Sequence, residues 1–487
     1  MGSRRHVLAA LGIGALVAGF DPGARAWASD GPGVQALPPL DGTVHLDDPT
    51  RRQDSQDAGR YLTQLPHAVL RPGSVTDVQK MIRFCRRHRI PVAARGLANT
   101  TNGQGLVNGL LIESRSLAGI RTIGADHAVV GAGTTWLELT RAAHPRSLTP
   151  PALTGYIGLT MGGTLSLGGI PPAYQTGAQV DSVLELEVVT GTGELVRCSA
   201  SHRRELFEAV LGGLGQFGII TEATVRLVAA PTNVRGHELS YTDPSAFFED
   251  VRTLVRRGEI TEIYGDWWRP GEHGETYHLN AFTFYDTDNP PDDAHLLRGL
   301  TQLPDRAVVT ENDYLSHVTR IDVAVDQLRE ALDWDNRIKP WVTLWLPEST
   351  IEAYVRDVVP SLRPPDVGDA GFVLMYVHRR SKLTRPSLRL ADEDGSDWVY
   401  LFTLMTSGAV GDVAFGHEMV RRNRHLYDKA RALGGRRYPI ESVDFDRTDW
   451  TRHYGDRWPE LVALKEKSDP AGLLTPGPGV FGQDLPF

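Results

Sequence analysis

The sequence predicts an α/β or α+β chain of two or three domains, and three observations carry that reading. From Arg71 onward, short apolar runs alternate with stretches of helical apolar period, the pattern of layered sheet-and-helix domains. Loops rich in glycine and small polar residues separate those runs. Beyond Pro231 the character changes, and most of the tryptophans gather there between longer polar connections. A chain of 487 residues, 41% of them hydrophobic, has the length for domains of roughly 100–200 residues each.

The first element is an export signal. SRRHVLAALG places Arg4 and Arg5 ahead of an apolar run from Val7 to Phe20, and Ala26-Trp27-Ala28 follows as a small-residue cleavage site. The run is shorter than the roughly 20 residues a bilayer span needs, so no stable membrane insertion is expected after removal of residues 1–28. The arginine pair reads as a twin-arginine signal, with a plain secretory signal as the alternative. The twin-arginine route carries folded proteins, often around a cofactor.

SVTDVQKMIRFCRRHRI then sets Val75, Val78, Met81, Ile82 and Cys85 on one helical stripe, with Ser74 or Thr76 as cap. PVAA is a short strand, RGLANTTNGQG a loop and LLI a second strand. HAVVGAGTTWLELTRAA pairs a strand ending at Gly131 with a helix beginning near Thr134. After the glycine-rich block LTMGGTLSLGGI, the run SVLELEVVTGTGELVRC is a hairpin turning at Gly191-Thr192-Gly193. A helix, SHRRELFEAVLG, leads into GGLGQFGIITEATVRLV, where Gly213, Gly215 and Gly218 spell GxGxxG. A dinucleotide fingerprint has its strand before and its helix after. Here the order is reversed, which excludes a Rossmann site.

Other classes fall away on composition. A net charge of -9, with 51 basic against 60 acidic residues, offers no field to a nucleic acid backbone. Cys85 and Cys198 match no metal spacing, and Cys85 reads as a buried thiol. Trp267, Trp268, Trp334, Trp341, Trp345 and Trp398 belong to a second core or line a site. The two loops Arg95–Gly105 and Thr160–Ile170 share one build, with glycines for close approach and hydroxyl or amide side chains for hydrogen bonds. Successive N–H groups in such turns form anion nests, and the pair suits the pyrophosphate of a long cofactor.

Taken together, the Arg95–Gln104 loop, VGAGTTW, LTMGGTLSLGGI and ELFEAVLGGLGQFGIITEATV resemble the PCMH-type FAD-binding domain of the vanillyl-alcohol oxidase superfamily. KPWVTLWLPESTI and DPAGLLTPGPGVF extend the likeness, within that superfamily, to cytokinin dehydrogenases. The resemblance implies an α+β, two-domain flavoprotein: an FAD-binding domain at 29–235, an antiparallel-sheet substrate domain at 236–430, and a segment 431–487 returning to the first. It implies FAD contacts from Ala94, Arg95, Gly96, Leu97, Ala98, Asn99, Thr100 and Gln104 on one loop. Thr160, Gly162, Gly163, Thr164, Ser166 and Ile170 would supply the other side, with Ile220 toward the adenine and Thr475 closing from the tail.

Two departures stand out. RGLANT has Asn99 where those enzymes have the histidine that bonds flavin, and Tyr156 stands where doubly linked relatives have a cysteine. The FAD is therefore expected to be non-covalent. LTGYIGLTMGGT has Gly155 in place of the aspartate that takes the substrate amine's proton, and Pro478 replaces a glutamine. Tyr438 and Asp266 are the candidate catalytic residues, with Glu262 as a further base. The expectation is an exported oxidoreductase passing hydride from a small organic substrate to flavin, with oxygen or a quinone as acceptor. A non-redox role such as natural-product cyclisation, and a ligand-binding protein without catalysis, are the alternatives.

Overall fold

Short apolar runs and the loops between them build two domains on separate sheets. The computed structural model describes residues 19–28, 33–268, 276–302 and 306–482. Arg4, Arg5 and the apolar run as far as Ala18 lie outside the described residues. The end of the expected signal lies inside them: β1 (Gly19–Asp21) pairs antiparallel with β2 (Ala26–Ala28) and with β3 (Gln35–Ala36). Phe20 is buried there, and Trp27 stacks on Phe84.

The first domain holds two sheets. In one, β4 (Thr43–His45), β5 (Ala68–Arg71), β6 (Val92–Arg95) and β7 (Leu110–Glu113) run in the order β4-β5-β7-β6. β5 and β6 are both parallel to β7. Between β5 and β6 the chain crosses over through helix α1 (Val75–His88), capped by Ser74 Oγ accepting from the Asp77 N–H at 3.3 Å. Val78, Met81, Ile82 and Cys85 are fully buried, each apolar side chain contributing roughly 1.5–3 kcal/mol. The second sheet is antiparallel: β8 (Ile120–Ile123), β9 (His127–Gly131), β10 (Val183–Val189), β11 (Leu195–Ser199) and β12 (Ile219–Arg226), in the order β11-β10-β12-β9-β8. Helix α2 (Trp136–Ala143) opens with a capping box between Thr135 and Glu138. It is followed by the short α3 (Met161–Leu165) and by α4 (Arg204–Val210). The GxGxxG glycines follow α4 and precede β12, the reverse of a dinucleotide fold.

The second domain is one antiparallel sheet of eight strands. They are β13 (Asn233–Tyr241), β14 (Glu262–Trp268), β15 (Tyr277–Tyr285), β16 (Val308–Asp313), β17 (Val342–Pro347), β18 (Phe372–Arg379), β19 (Trp398–Met405) and β20 (Arg436–Arg437). The spatial order is β16-β13-β15-β14-β18-β19-β17-β20. Helices α5 (Pro244–Arg257), α7 (Glu348–Val358) and α8 (Val413–Ala432) pack on the sheet, and α6 (Tyr314–Leu332) joins it beside β13 and β16. Strand alternation sends Trp267, Leu344 and Val373 into one core, where Phe247 of α5 and Tyr354 of α7 join them. The opposite face looks toward the first domain. Of the six tryptophans of this region, Trp341 alone lines the cavity between the domains; Trp267 and Trp345 are core residues, and Trp268 is on the surface.

The sheet begins at Asn233 and takes its last strand from Arg436–Arg437, so both its ends lie just outside 236–430. From β20 the chain runs through α9 (Arg447–Tyr454) and α10 (Trp458–Ser468) back to the first domain. There Leu474 bridges Val92, and the Thr475 N–H donates to the Val92 carbonyl at 2.8 Å.

Candidate functional site

Strand β6 ends at Arg95 and releases the loop that lines a large cavity between the two domains. Ala98 turns that loop with φ of 50°, a left-handed conformation that an alanine adopts only under constraint. Asp57 supplies part of the constraint. It is buried and accepts from the Gly103 N–H at 2.6 Å, the Gly59 N–H at 3.0 Å and Thr100 Oγ1 at 3.4 Å. Burial pushes its carboxyl up to about 6 against these hydrogen bonds. Arg95 adds a brace, its guanidinium donating to the Asp54 and Gln56 carbonyls.

The second loop interlocks with the first. A Cβ at Gly96 would lie 1.9 Å from Thr160 Oγ1, so only glycine lets the loops approach this closely. Trp136 Nε1 donates to Thr164 Oγ1 at 2.7 Å, fixing α3 over the core. Leu214 and Thr475, both left-handed, close the cavity from the GxGxxG turn and the tail. All sixteen residues that the sequence assigned to the cofactor line this one cavity. Not all of them are free to meet a ligand: Arg95 is spent on backbone carbonyls, and Gln104 Nε2 donates to the Pro439 carbonyl at 3.3 Å.

The roof comes from the second domain. Thr343, Thr403 and Leu374 stand side by side on β17, β19 and β18, in register, and Tyr376 and Leu401 form the next pair. Residues directly opposite in a ladder share a face, so these rows point together into the cavity. Trp341, Met405, Tyr438 and Ile440 complete it. The cavity holds about 280 Å³, at the lower end of the roughly 300–1,000 Å³ of a common small-ligand site, and it opens to solvent at its mouth.

The candidate catalytic residues are placed differently from one another. Tyr438 is in the wall, buried, its hydroxyl accepting from the Gly169 N–H at 3.1 Å; burial raises the phenol far above its ordinary value. Asp266 is not among the cavity-lining residues. The register puts it opposite Leu374, one strand further from the centre, where its carboxylate accepts from Asn280 Nδ2 at 2.8 Å. Burial lifts its carboxyl to about 6. Glu262 is committed elsewhere, hydrogen-bonded to the buried His317 at 2.9 Å with Arg320 at 3.7 Å.

Gly155 also has a definite place. Its φ is not positive, and a Cβ there would sit 3.4 Å from Tyr376 Oη and 3.9 Å from Ile321 Cγ1, ordinary contacts. The loop beyond it is pinned by the Ile157 N–H donating to Asp322 on α6. Sequence reasoning missed the hydroxyl row of Thr343 and Thr403, the left-handed Leu214, the brace at Asp57 and, above all, Glu441. Period-two alternation along VTLWLP and WVYLFTLM carried a signal for the first. Nothing local marks the others.

The residues fit an FAD. The N–H groups of Leu97, Ala98, Asn99 and Thr100 find no acceptor within the described protein, and successive unpaired amides around a left-handed residue make an anion nest. A long cavity with such a nest at one loop, interlocked glycines at its centre and a sheet face above it defines a flavin-dependent oxidoreductase. Comparison with known families agrees: residues 66–199 match the FAD binding domain family, and residues 269–481 match the family described as cytokinin dehydrogenase 1, FAD and cytokinin binding. The chain belongs to the cytokinin dehydrogenase family of FAD-dependent oxidoreductases. It is 31% identical over 90% of its length to "Uncharacterized oxidoreductase ORF5 in fasciation locus" of Rhodococcoides fascians, covering 99% of that protein. It is 29% identical to cytokinin dehydrogenase 2 of Arabidopsis thaliana, across 88% of this chain and 91% of the relative. With cytokinin dehydrogenase 1 of rice, Oryza sativa subsp. japonica, identity is 31% across 98% and 97%.

Proposed function

We propose that the protein oxidises a small organic substrate, an amine, an alcohol or a natural-product intermediate, using FAD held without a covalent bond. The observation that carries this is the cavity itself, which runs from the amide nest to the sheet-face roof with no histidine or cysteine among its lining residues. Bound FAD supplies a hydride acceptor, and oxygen or a quinone would reoxidise it. The N–H groups of Leu97 to Thr100 would hold the pyrophosphate, and the Thr160 loop and Thr475 would close on the flavin. The roof, lined by Thr343, Leu374, Tyr376 and Thr403, would exclude water and orient the substrate. Two of the three relatives are cytokinin dehydrogenases by name, but Gly155 offers no base at the position where the family likeness puts one. We expect isopentenyladenine to be oxidised poorly for that reason, since a positioned base contributes typically about 10²–10⁴-fold.

One experiment tests the reading. The purified protein is denatured in acid, and all the FAD should appear in the supernatant. The native protein is then mixed anaerobically with a panel of amines, alcohols and sugars that includes isopentenyladenine. Bleaching of the flavin by an alcohol or amine supports the proposal. Colour left on the precipitate contradicts the non-covalent attachment, rapid bleaching by isopentenyladenine contradicts the substrate choice, and turnover without bleaching favours a non-redox reaction.

The twin-arginine motif supports export to the periplasmic, cell-wall or extracellular space. Replacing Arg4 and Arg5 by lysine should keep the protein in the cytoplasm, because the pathway reads the guanidinium pair. A cut after Ala28 would strip Phe20 and Trp27 from α1 and uncover Phe84. Sequencing the N-terminus of exported protein decides where the cut falls.

A further inference from the structure

Glu441 is the one carboxyl among the described residues that line the cavity. It is 6% exposed, and it joins the two domains: Oε2 accepts from Thr101 Oγ1 of the nest-bearing loop at 3.0 Å, and Oε1 from Thr343 Oγ1 of the roof at 3.3 Å. Among the described residues no cation forms an ion pair with it. The nearby Arg437 spends its guanidinium on the Val443 and Glu441 backbone carbonyls and lies over Phe445 and Trp450. Arg95, the other charged residue of the lining, is turned onto Asp54 and Gln56. A carboxyl desolvated this far, held by two neutral hydroxyls, is built to exchange a proton and not to make an ion pair.

We propose that Glu441 is the proton acceptor of this site. As the substrate's C–H bond breaks with its electron pair, the O–H or N–H bond on the adjoining heteroatom breaks too, its proton passes to the Glu441 carboxylate, and a C=O or C=N bond forms. The assignment rests on the oxidation reading above, in which the hydride goes to the flavin. It places the base at one end of the row Thr343, Thr403, Leu374, away from the corner where Gly155 meets Tyr376. A substrate oxidised here therefore directs its hydroxyl or amino group toward Trp341 and Glu441.

The groups facing Glu441 are Arg437 and Tyr438 on its own segment, Asp57 from the N-terminal segment, and the uncharged Thr101, Gln104 and Thr343. Burial raises the Glu441 carboxyl to about 7, with Asp57 adding to the rise and the two threonines and Arg437 opposing it. The carboxylate form is thus present above about pH 7, and a rate that needs it should climb with pH through that range.

The test compares FAD-loaded wild type with Glu441→Gln, which keeps the shape and loses the proton site, and with Asp57→Asn as control for the neighbouring titration. Anaerobic flavin bleaching by benzyl alcohol and allylic primary alcohols, which do not titrate here, is followed from about pH 5 to 9. We expect Glu441→Gln to bind FAD normally, to bleach about 10²–10⁴-fold more slowly and to lose the rise with pH, while Asp57→Asn retains it. Carbon-13 glutamate infrared spectra give a readout without turnover. A protonated carboxyl band should vanish as pH rises through about 7, and it should be missing from Glu441→Gln. Equal bleaching by Glu441→Gln, or a Glu441 already ionised at about pH 5, overturns the assignment of Glu441 alone. Failure of every alcohol and amine to bleach the wild type overturns the oxidation reading, and this assignment with it.

Discussion

Burying Glu441 has a cost that can be measured apart from catalysis. Its carboxyl moves from an ordinary value of 4.5 to about 7 on folding, because burial disfavours the charge. A raised acid holds its proton more tightly in the folded state, so stability is highest below about pH 4.5 and falls as pH climbs to about 7. Above that the ionised group costs of order 3 kcal/mol. Glu441→Gln should therefore raise the melting temperature by several degrees at about pH 8 and by little at about pH 5. The same difference at both pH values would show that the carboxyl is not held neutral. Single residues also show how far sequence carries. That the loop from Ala94 to Gln104 lines a cavity is legible in its glycines and small polar side chains, which allow close approach of the backbone. Glu441 is not, since it meets Thr101 across 340 residues of sequence. Asp266 is a candidate by residue type, but strand register, which a local sequence does not state, sets it opposite His278 and Leu374 and within reach of the diagonal Asn280, which donates to it.

At the scale of elements, caps and turns read well because their chemistry is local. Ser74, one of the two candidates, caps α1; α2 begins at Trp136, close to the expected start near Thr134; and the hairpin between β10 and β11 turns at Gly193 with φ of 79°. The tail was harder to read, since its anchor is a buried ion pair. Lys465 Nζ on α10 lies 2.8 Å from Asp469, and their side chains are 7% and 0% exposed. Lys465 also donates to the Gln216 and Leu474 carbonyls, while Asp469 accepts from the Leu473 and Leu474 N–H groups. The pair thereby sets the turn that lays Leu474 and Thr475 against β6. Lys465→Met strands the Asp469 charge in the interior, a loss of about 3–5 kcal/mol. The variant should melt several degrees lower and lose FAD on gel filtration, and adding Asp469→Asn should recover part of both. A variant that melts with the wild type would mean that the tail's position is set by its apolar contacts alone.

For the whole molecule, a second domain was legible as a change of composition, while the order of eight antiparallel strands was not, because it depends on which faces find cover. The cavity that results is shared: nest and glycines come from one domain, the hydroxyl row from the other, and the tail belongs to both. A ligand that fills such a space stabilises both domains together, by RT ln(1 + [L]/Kd) when it is free to leave. If FAD is held by the nest of Leu97 to Thr100 and by packing, protein stripped of flavin should melt at a temperature that rises with added FAD. The gain should reach about 2.7 kcal/mol at a hundredfold excess over Kd. Both domains should unfold in one transition when loaded, and they should separate or broaden when empty, since the threonine bridges through Glu441 are few. Flavin bonded to the protein would give a melting temperature indifferent to free FAD, and that outcome would refute attachment by hydrogen bonds and packing alone.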